Sequence, residues 1–142
     1  MKIFRLIQTL FFIVPLVACT AQPSNKDATA STNNSDKIEA YYFHFTARCV
    51  TCRTIEAKAK ENLETLYPNQ VKQGLITFQS LNLEEAPNKT LADKLGISGQ
   101  ALLLVKGDQK INLTNEGFLY AVSKPEKFKE IINEKVDGLL IR

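Results

Sequence analysis

I-E-A-Y-Y-F-H-F-T-A-R-C-V-T-C-R, residues 38 to 53, joins an aromatic run to two cysteines set three apart between two arginines. The run from Ile38 to Phe45 is apolar and nearly continuous, the pattern of a strand buried on both faces. Beyond it the period changes: apolar side chains recur at Cys52, Ile55, Ala59, Leu63 and Leu66, one stripe of a helix reaching Tyr67. Cys49 therefore falls between a strand and a helix, with its sulfur at the helix N-terminus. There the unsatisfied backbone N–H groups and the positive end of the helix dipole favour an anion. A free thiol titrates near pH 8.5, and such positions bring it down to roughly 3.5–7.5. Cys52, one turn on, points back along the helix toward Cys49 and is expected to be the more buried of the two. An exposed nucleophilic sulfur beside a shielded partner suits disulfide exchange, in which Cys49 attacks and Cys52 resolves the mixed disulfide. Metal capture and a local structural disulfide between Cys49 and Cys52 are the other uses of such a pair.

Working outward, Pro68, Asn69 and Gly74 mark a turn, and L-I-T-F-Q-S-L-N-L, residues 75 to 83, reads as a second strand. A short helix over residues 88 to 95 turns Leu91 and Leu95 inward and ends at Gly96. Residues 101 to 106, A-L-L-L-V-K, form a third strand, and Gly107 with Asp108 turns the chain into a fourth at residues 110 to 113. Ser123 and Glu126 have capping-box spacing at the start of a last helix, whose inward stripe is Phe128, Ile131, Ile132, Val136 and Leu139. The order β-α-β-α-β-β-α is a complete plan for one α/β domain over residues 37–142.

The N-terminus has a different character. Lys2 and Arg5 precede an apolar run to Ala18, the layout of a signal peptide over residues 1–18, too short to cross a bilayer as a helix. Its end, L-V-A-C at residues 16 to 19, resembles the lipobox of bacterial lipoproteins, which implies lipidation of Cys19 and attachment to a bacterial membrane. Thr20 is not the usual inner-membrane retention residue, so the resemblance favours a periplasm-facing anchor in the outer membrane. Acyl chains at about 0.8 kcal/mol per buried CH₂ would hold such an anchor firmly. With Cys19 so used, Cys49 and Cys52 are the only thiols left in an exported, disulfide-permissive compartment. Residues 20 to 36 contain no large apolar side chain and read, with Cys19, as a flexible tether of about 20–25 Å r.m.s. span. Removing Lys2 and Arg5 leaves 16 basic against 15 acidic residues, a balance that gives no sign of nucleic-acid binding.

Taken together, residues 38 to 140 resemble the thioredoxin superfamily. The features in register are the aromatic strand leading into C-V-T-C, the helix after it, T-F-Q-S-L-N-L with a polar helix behind it, and G-I-S-G-Q-A-L-L-L-V-K-G at residues 96 to 107. The resemblance implies a thioredoxin-like α/β fold: a four-stranded mixed sheet of order 2-1-3-4, strand four antiparallel, with helices on both faces. Together with the lipobox, it implies a membrane-tethered thiol–disulfide oxidoreductase needing no cofactor, exchanging with protein or small-molecule dithiols and disulfides, open to feeding by a membrane electron donor, and monomeric. Three positions depart from the family pattern. Gln100 and Ala101 stand where a cis-proline precedes the third strand, and a non-proline cis bond costs about 2.5–4 kcal/mol, so a trans peptide and a remodelled substrate edge are expected. Arg48 replaces the usual tryptophan, and Phe43 takes the place of the buried acid that assists proton transfer.

Several residues around the pair carry two readings. His44, the sole histidine, is either packed at the core edge or a proton relay or ligand near the thiols. Arg48 and Arg53 either tune a thiolate or are solvated charges, and Val50 and Thr51 set the potential from inside the motif. Tyr41, Tyr42, Phe43 and Phe45 read as core. Two other functions use the same residues. Cu(I) or Zn²⁺ could be held by Cys49, Cys52 and His44, although tetrahedral zinc needs a fourth ligand. A non-catalytic, partner-binding lipoprotein could keep Cys49–Cys52 as a staple. Covalent haem attachment is disfavoured further by Arg53, which stands where C-x-x-C-H needs histidine.

Overall fold

A computed structural model describes residues 36–141. The signal segment, Cys19 and nearly all of the tether lie outside the described residues. The elements are β1 (Ile38–His44), α1 (Val50–Leu66), α2 (Pro68–Lys72), β2 (Ile76–Asn82), α3 (Ala86–Leu95), β3 (Ala101–Lys106), β4 (Gln109–Asn112), α4 (Thr114–Tyr120) and α5 (Pro125–Leu140). All seven elements expected from periodicity are present. Two short helices are added, α2 where a turn was expected and α4 between β4 and α5. Pro68 opens α2, a position where its missing N–H costs nothing and its fixed φ suits the helix.

The four strands form one sheet in the order β2-β1-β3-β4. β1 is parallel to β2, from Ile38 opposite Ile76 to His44 opposite Asn82. β3 runs antiparallel to β1, with Ala101 opposite Phe43, and β4 antiparallel to β3. The C-terminal end of β1, which launches the cysteine loop, therefore lies beside the entry to β3.

Alternation along β1 divides the core between the two faces. Ile38, Ala40 and Tyr42 pack with Ile55, Ala59 and Leu63 of α1, Leu102 and Leu104 of β3, and Phe128, Ile132, Val136 and Leu139 of α5. Tyr41 and Phe43 pack on the other face with Leu103, Val105 and Ala92, against which Leu91 and Leu95 of α3 lie partly buried. Burial on both faces is what the unbroken apolar run of β1 required.

Two local expectations are corrected. The capping box at Ser123 does not form: Lys124 is the N-cap of α5, without a side-chain cap, and the Ser123 hydroxyl donates to the carbonyl of Leu119 at 2.6 Å. The residues just before α5 close the end of α4, so the serine serves the preceding helix. Phe45 is not core but 42% exposed, because β1 ends at His44 and the chain turns outward. Gly96 does end α3 as expected, in the left-handed region at φ 77°.

Candidate active site at the start of α1

Cys49 is the N-cap of α1, and its Sγ accepts the N–H of Cys52 at 3.4 Å. The two sulfurs are 2.8 Å apart, less than about 1 Å beyond a disulfide bond length. Cys49 is exposed and Cys52 buried, the division of access expected for an attacking and a resolving thiol. The Cys49 thiol is held below its ordinary value, first by the Cys52 side chain and then by the backbone N–H groups of Cys52 and Thr51, against a smaller opposing effect of desolvation. Thr51 thus acts through its main chain. Val50, between the cysteines, is 75% exposed and forms an apolar rim.

Neither arginine is aimed at the thiols. Arg48, partly buried, forms an ion pair through Nη1 with Glu56 one turn beyond Cys52. Arg53 turns back and donates from Nη2 to the Arg48 carbonyl at 3.0 Å. Both are ordered by the helix start, a use that lies outside the choice between thiolate tuning and solvated charge. Glu56 had no marker in the sequence: a glutamate on an amphipathic helix ordinarily faces solvent.

His44 is 9% exposed and donates from Nδ1 to the carbonyl of Phe45 at 2.9 Å, since a carbonyl can only accept. Its ring lies 6.1 Å from that of Tyr42. The loop that follows is fastened to the end of β2. The Glu84 carboxylate accepts both the N–H and the hydroxyl of Thr46, while the Asn82 amide donates to Thr46 Oγ1 at 2.8 Å. These two bonds from Thr46 hold Glu84 below the usual carboxylate range.

Phe43 is fully buried on the α3 face, turned away from α1. The β1 side chain that hydrogen-bonds the cysteine helix is Tyr42. Its hydroxyl donates to the Cys52 carbonyl at 2.8 Å and accepts from the Gln100 amide at 2.5 Å. Burial raises the phenol well above its usual range, so it stays neutral. Ala101 is buried opposite Phe43 in β3, and the described residues contain no cis peptide, so the Gln100–Ala101 bond is trans as expected. Sequence periodicity placed Tyr42 in the core correctly, but gave no sign that its polar tip bridges two segments.

A CxxC pair opening the first helix, after a central strand in a sheet of order β2-β1-β3-β4 covered on both faces, is the architecture of a thioredoxin-like domain. No protein-family model and no curated protein matches the sequence. Solved structures similar to it include thioredoxin O2 from Arabidopsis thaliana, 21% identical over 70% of this chain and 75% of that one, with a TM-score of 0.48. A thioredoxin of Fasciola hepatica is 17% identical over 71% of this chain and 83% of its own, with a TM-score of 0.45. The germline-specific thioredoxin Deadhead of Drosophila melanogaster is 14% identical over the same shares, also with a TM-score of 0.45. These likenesses do not extend to activity or substrate.

Proposed function

We propose that this protein is an exported thiol–disulfide oxidoreductase tethered to a bacterial membrane through lipidated Cys19 and working through Cys49 and Cys52. The observation that carries the chemistry is the pair of sulfurs 2.8 Å apart, one exposed at the N-cap and one buried behind it. In this reading the Cys49 thiolate attacks a substrate disulfide and expels one thiolate. Cys52 then loses its proton to solvent and attacks Cys49 Sγ, releasing the second substrate thiolate and leaving the Cys49–Cys52 disulfide. Two electrons pass to the substrate, and a dithiol donor, in the membrane or near it, restores the reduced pair. Protein or small-molecule dithiols and disulfides are the partners, the protein acts as a monomer, and the lipobox favours the periplasmic side of an outer membrane.

The test is exchange by the reduced protein with a small aromatic disulfide, followed by mass spectrometry. Cys49→Ser abolishes exchange, whereas Cys52→Ser accumulates a stable mixed disulfide on Cys49. Exchange that survives Cys49→Ser ends this reading. For the tether, Cys19→Ser moves the protein from the membrane to the soluble envelope fraction; unchanged fractionation removes the lipid anchor. The metal reading has no comparable support: among the described residues no group of three His, Cys, Asp or Glu side chains converges.

A further inference from the structure

The hydroxyl of Tyr42 is the one polar group that β1 sends to the cysteine helix, and its hydrogen bonds have a fixed direction. A carbonyl can only accept, so the single phenolic hydrogen goes to the carbonyl of Cys52. The oxygen then has only acceptor capacity left, and the Gln100 amide N–H fills it. Tyr42 is 1% exposed, so water cannot substitute for either partner. Gln100 is the last residue before β3, and Cys52 is the buried sulfur. Two hydrogen bonds therefore connect the segment that enters β3 to the first turn of α1.

We propose that Tyr42 is a positioning residue for the resolving step, holding Cys52 against Cys49, and that Gln100 links this hold to the segment that enters β3. The inference rests on the thiol–disulfide reading above. Tyr42 touches the Cys52 main chain and not its sulfur, so its action is on where the first turn sits. Cys52 also helps to hold Cys49 as a thiolate. The two steps therefore separate above the ordinary thiol value, where Cys49 is ionised with or without that help and its attack on substrate no longer depends on the placement. Resolution does, because Cys52 must reach Cys49 Sγ along the axis of the bond being broken.

Reduced full-length protein in detergent, mixed with dithiobis(nitrobenzoate) about one pH unit above the ordinary thiol value of about 8.5, separates the two steps. Attack by Cys49 releases one nitrothiobenzoate and leaves a mixed disulfide. Attack by Cys52 on Cys49 Sγ releases the second and forms the Cys49–Cys52 disulfide; the protein loses two electrons and the reagent gains them. Tyr42→Phe is expected to leave the first phase at the parent rate and slow the second by about three- to tenfold, the size of one net hydrogen bond. Gln100→Met slows the second phase less, and the double variant is no slower than Tyr42→Phe alone, because the two side chains act as one unit. Tyr67→Phe, which loses a hydroxyl at the far end of α1, serves as a stability control: it lowers the thermal midpoint and slows neither phase.

A second phase that keeps the parent rate in both Tyr42→Phe and Gln100→Met overturns the inference and leaves the redox reading intact. Equal slowing of both phases in Tyr42→Phe, together with a lower thermal midpoint, also overturns it in favour of a packing role. A parent protein that releases no nitrothiobenzoate removes the redox reading, and the inference with it. If Tyr42→Phe fails to fold, the second phase of Gln100→Met decides.

Discussion

At the scale of the residue, Cys49 shows how little chemistry is needed to change a thiol. Its sulfur accepts hydrogen bonds from Cys52 and from the N–H groups of the first turn, and these favour the thiolate. The rate of Cys49 alkylation against pH should therefore reach half its plateau below the ordinary thiol value of about 8.5. Cys52→Ala should move that midpoint up, since the Cys52 side chain is the largest of the causes. An unmoved midpoint would place the cause elsewhere. The same shift links to folding: the unfolded chain titrates at the ordinary value and the folded chain below it. The stabilisation of the reduced protein is complete above about pH 8.5 and is lost as pH falls through the depressed value. Unfolding of the reduced protein in denaturant at several pH values checks the sign. Both cysteines, their junction and their difference in burial were legible in the sequence, because a change of hydrophobic period locates a strand end and a helix start. The second use of Tyr42 was not, because periodicity reports which face a side chain occupies and not what its tip meets.

At the scale of the element, two glycines make opposite predictions. A Cβ on Gly117, in α4, would stand 2.9 Å from Cγ2 of Ile55 in α1. Ile55 is buried and β-branched, so it cannot turn aside cheaply. Gly117→Ala should destabilise by about 1–2 kcal/mol, the overpacking cost outweighing the gain in helix propensity. A Cβ on Gly138, in α5, meets nothing within 4 Å, and Gly138→Ala should stabilise by about 0.5–1 kcal/mol. Urea denaturation of the two variants beside the parent measures both, and a stabilised Gly117→Ala would show that α4 can lift from α1. Close approach explains why a glycine sits inside α4. It also explains why α4 was illegible, since seven residues with a glycine in the middle, T-N-E-G-F-L-Y, give no complete apolar repeat. The five-residue α2 escaped for the same reason, whereas α1 and α5, of 17 and 16 residues, were plain from their stripes.

At the scale of the whole molecule, α5 is tied down at points far from the cysteines. The Tyr67 hydroxyl, at the end of α1, donates to Asp137 Oδ1 at 2.7 Å, and Asn133 Nδ2 holds the other carboxylate oxygen at 3.1 Å. Lys106, leaving β3, donates to the Leu139 carbonyl in the last turn of α5 at 2.7 Å. Because Tyr67 is buried and its acceptor is a carboxylate, Tyr67→Phe should cost about 1–3 kcal/mol and lower the thermal midpoint by several degrees. A midpoint within a degree of the parent would mean that water replaces the hydroxyl. None of this could be read from the chain, since Tyr67 and Asp137 are brought together only by the tertiary fold.

The position of β1 in the centre of the sheet bears on the order in which the protein assembles. β3 and β4 are neighbours in sequence, joined through Gly107 and Asp108, and can pair early. β1 must find β2 across the whole of α1 and then β3 some 60 residues away, pairings with a larger loop-closure entropy. Cys49 gains its environment only when that strand is in place, so a half-assembled chain carries two ordinary thiols. During refolding, helical circular dichroism should return before rapid alkylation of Cys49 does. Reactivity would then mark completed assembly, and the newly made chain would stay chemically quiet until its sheet has closed.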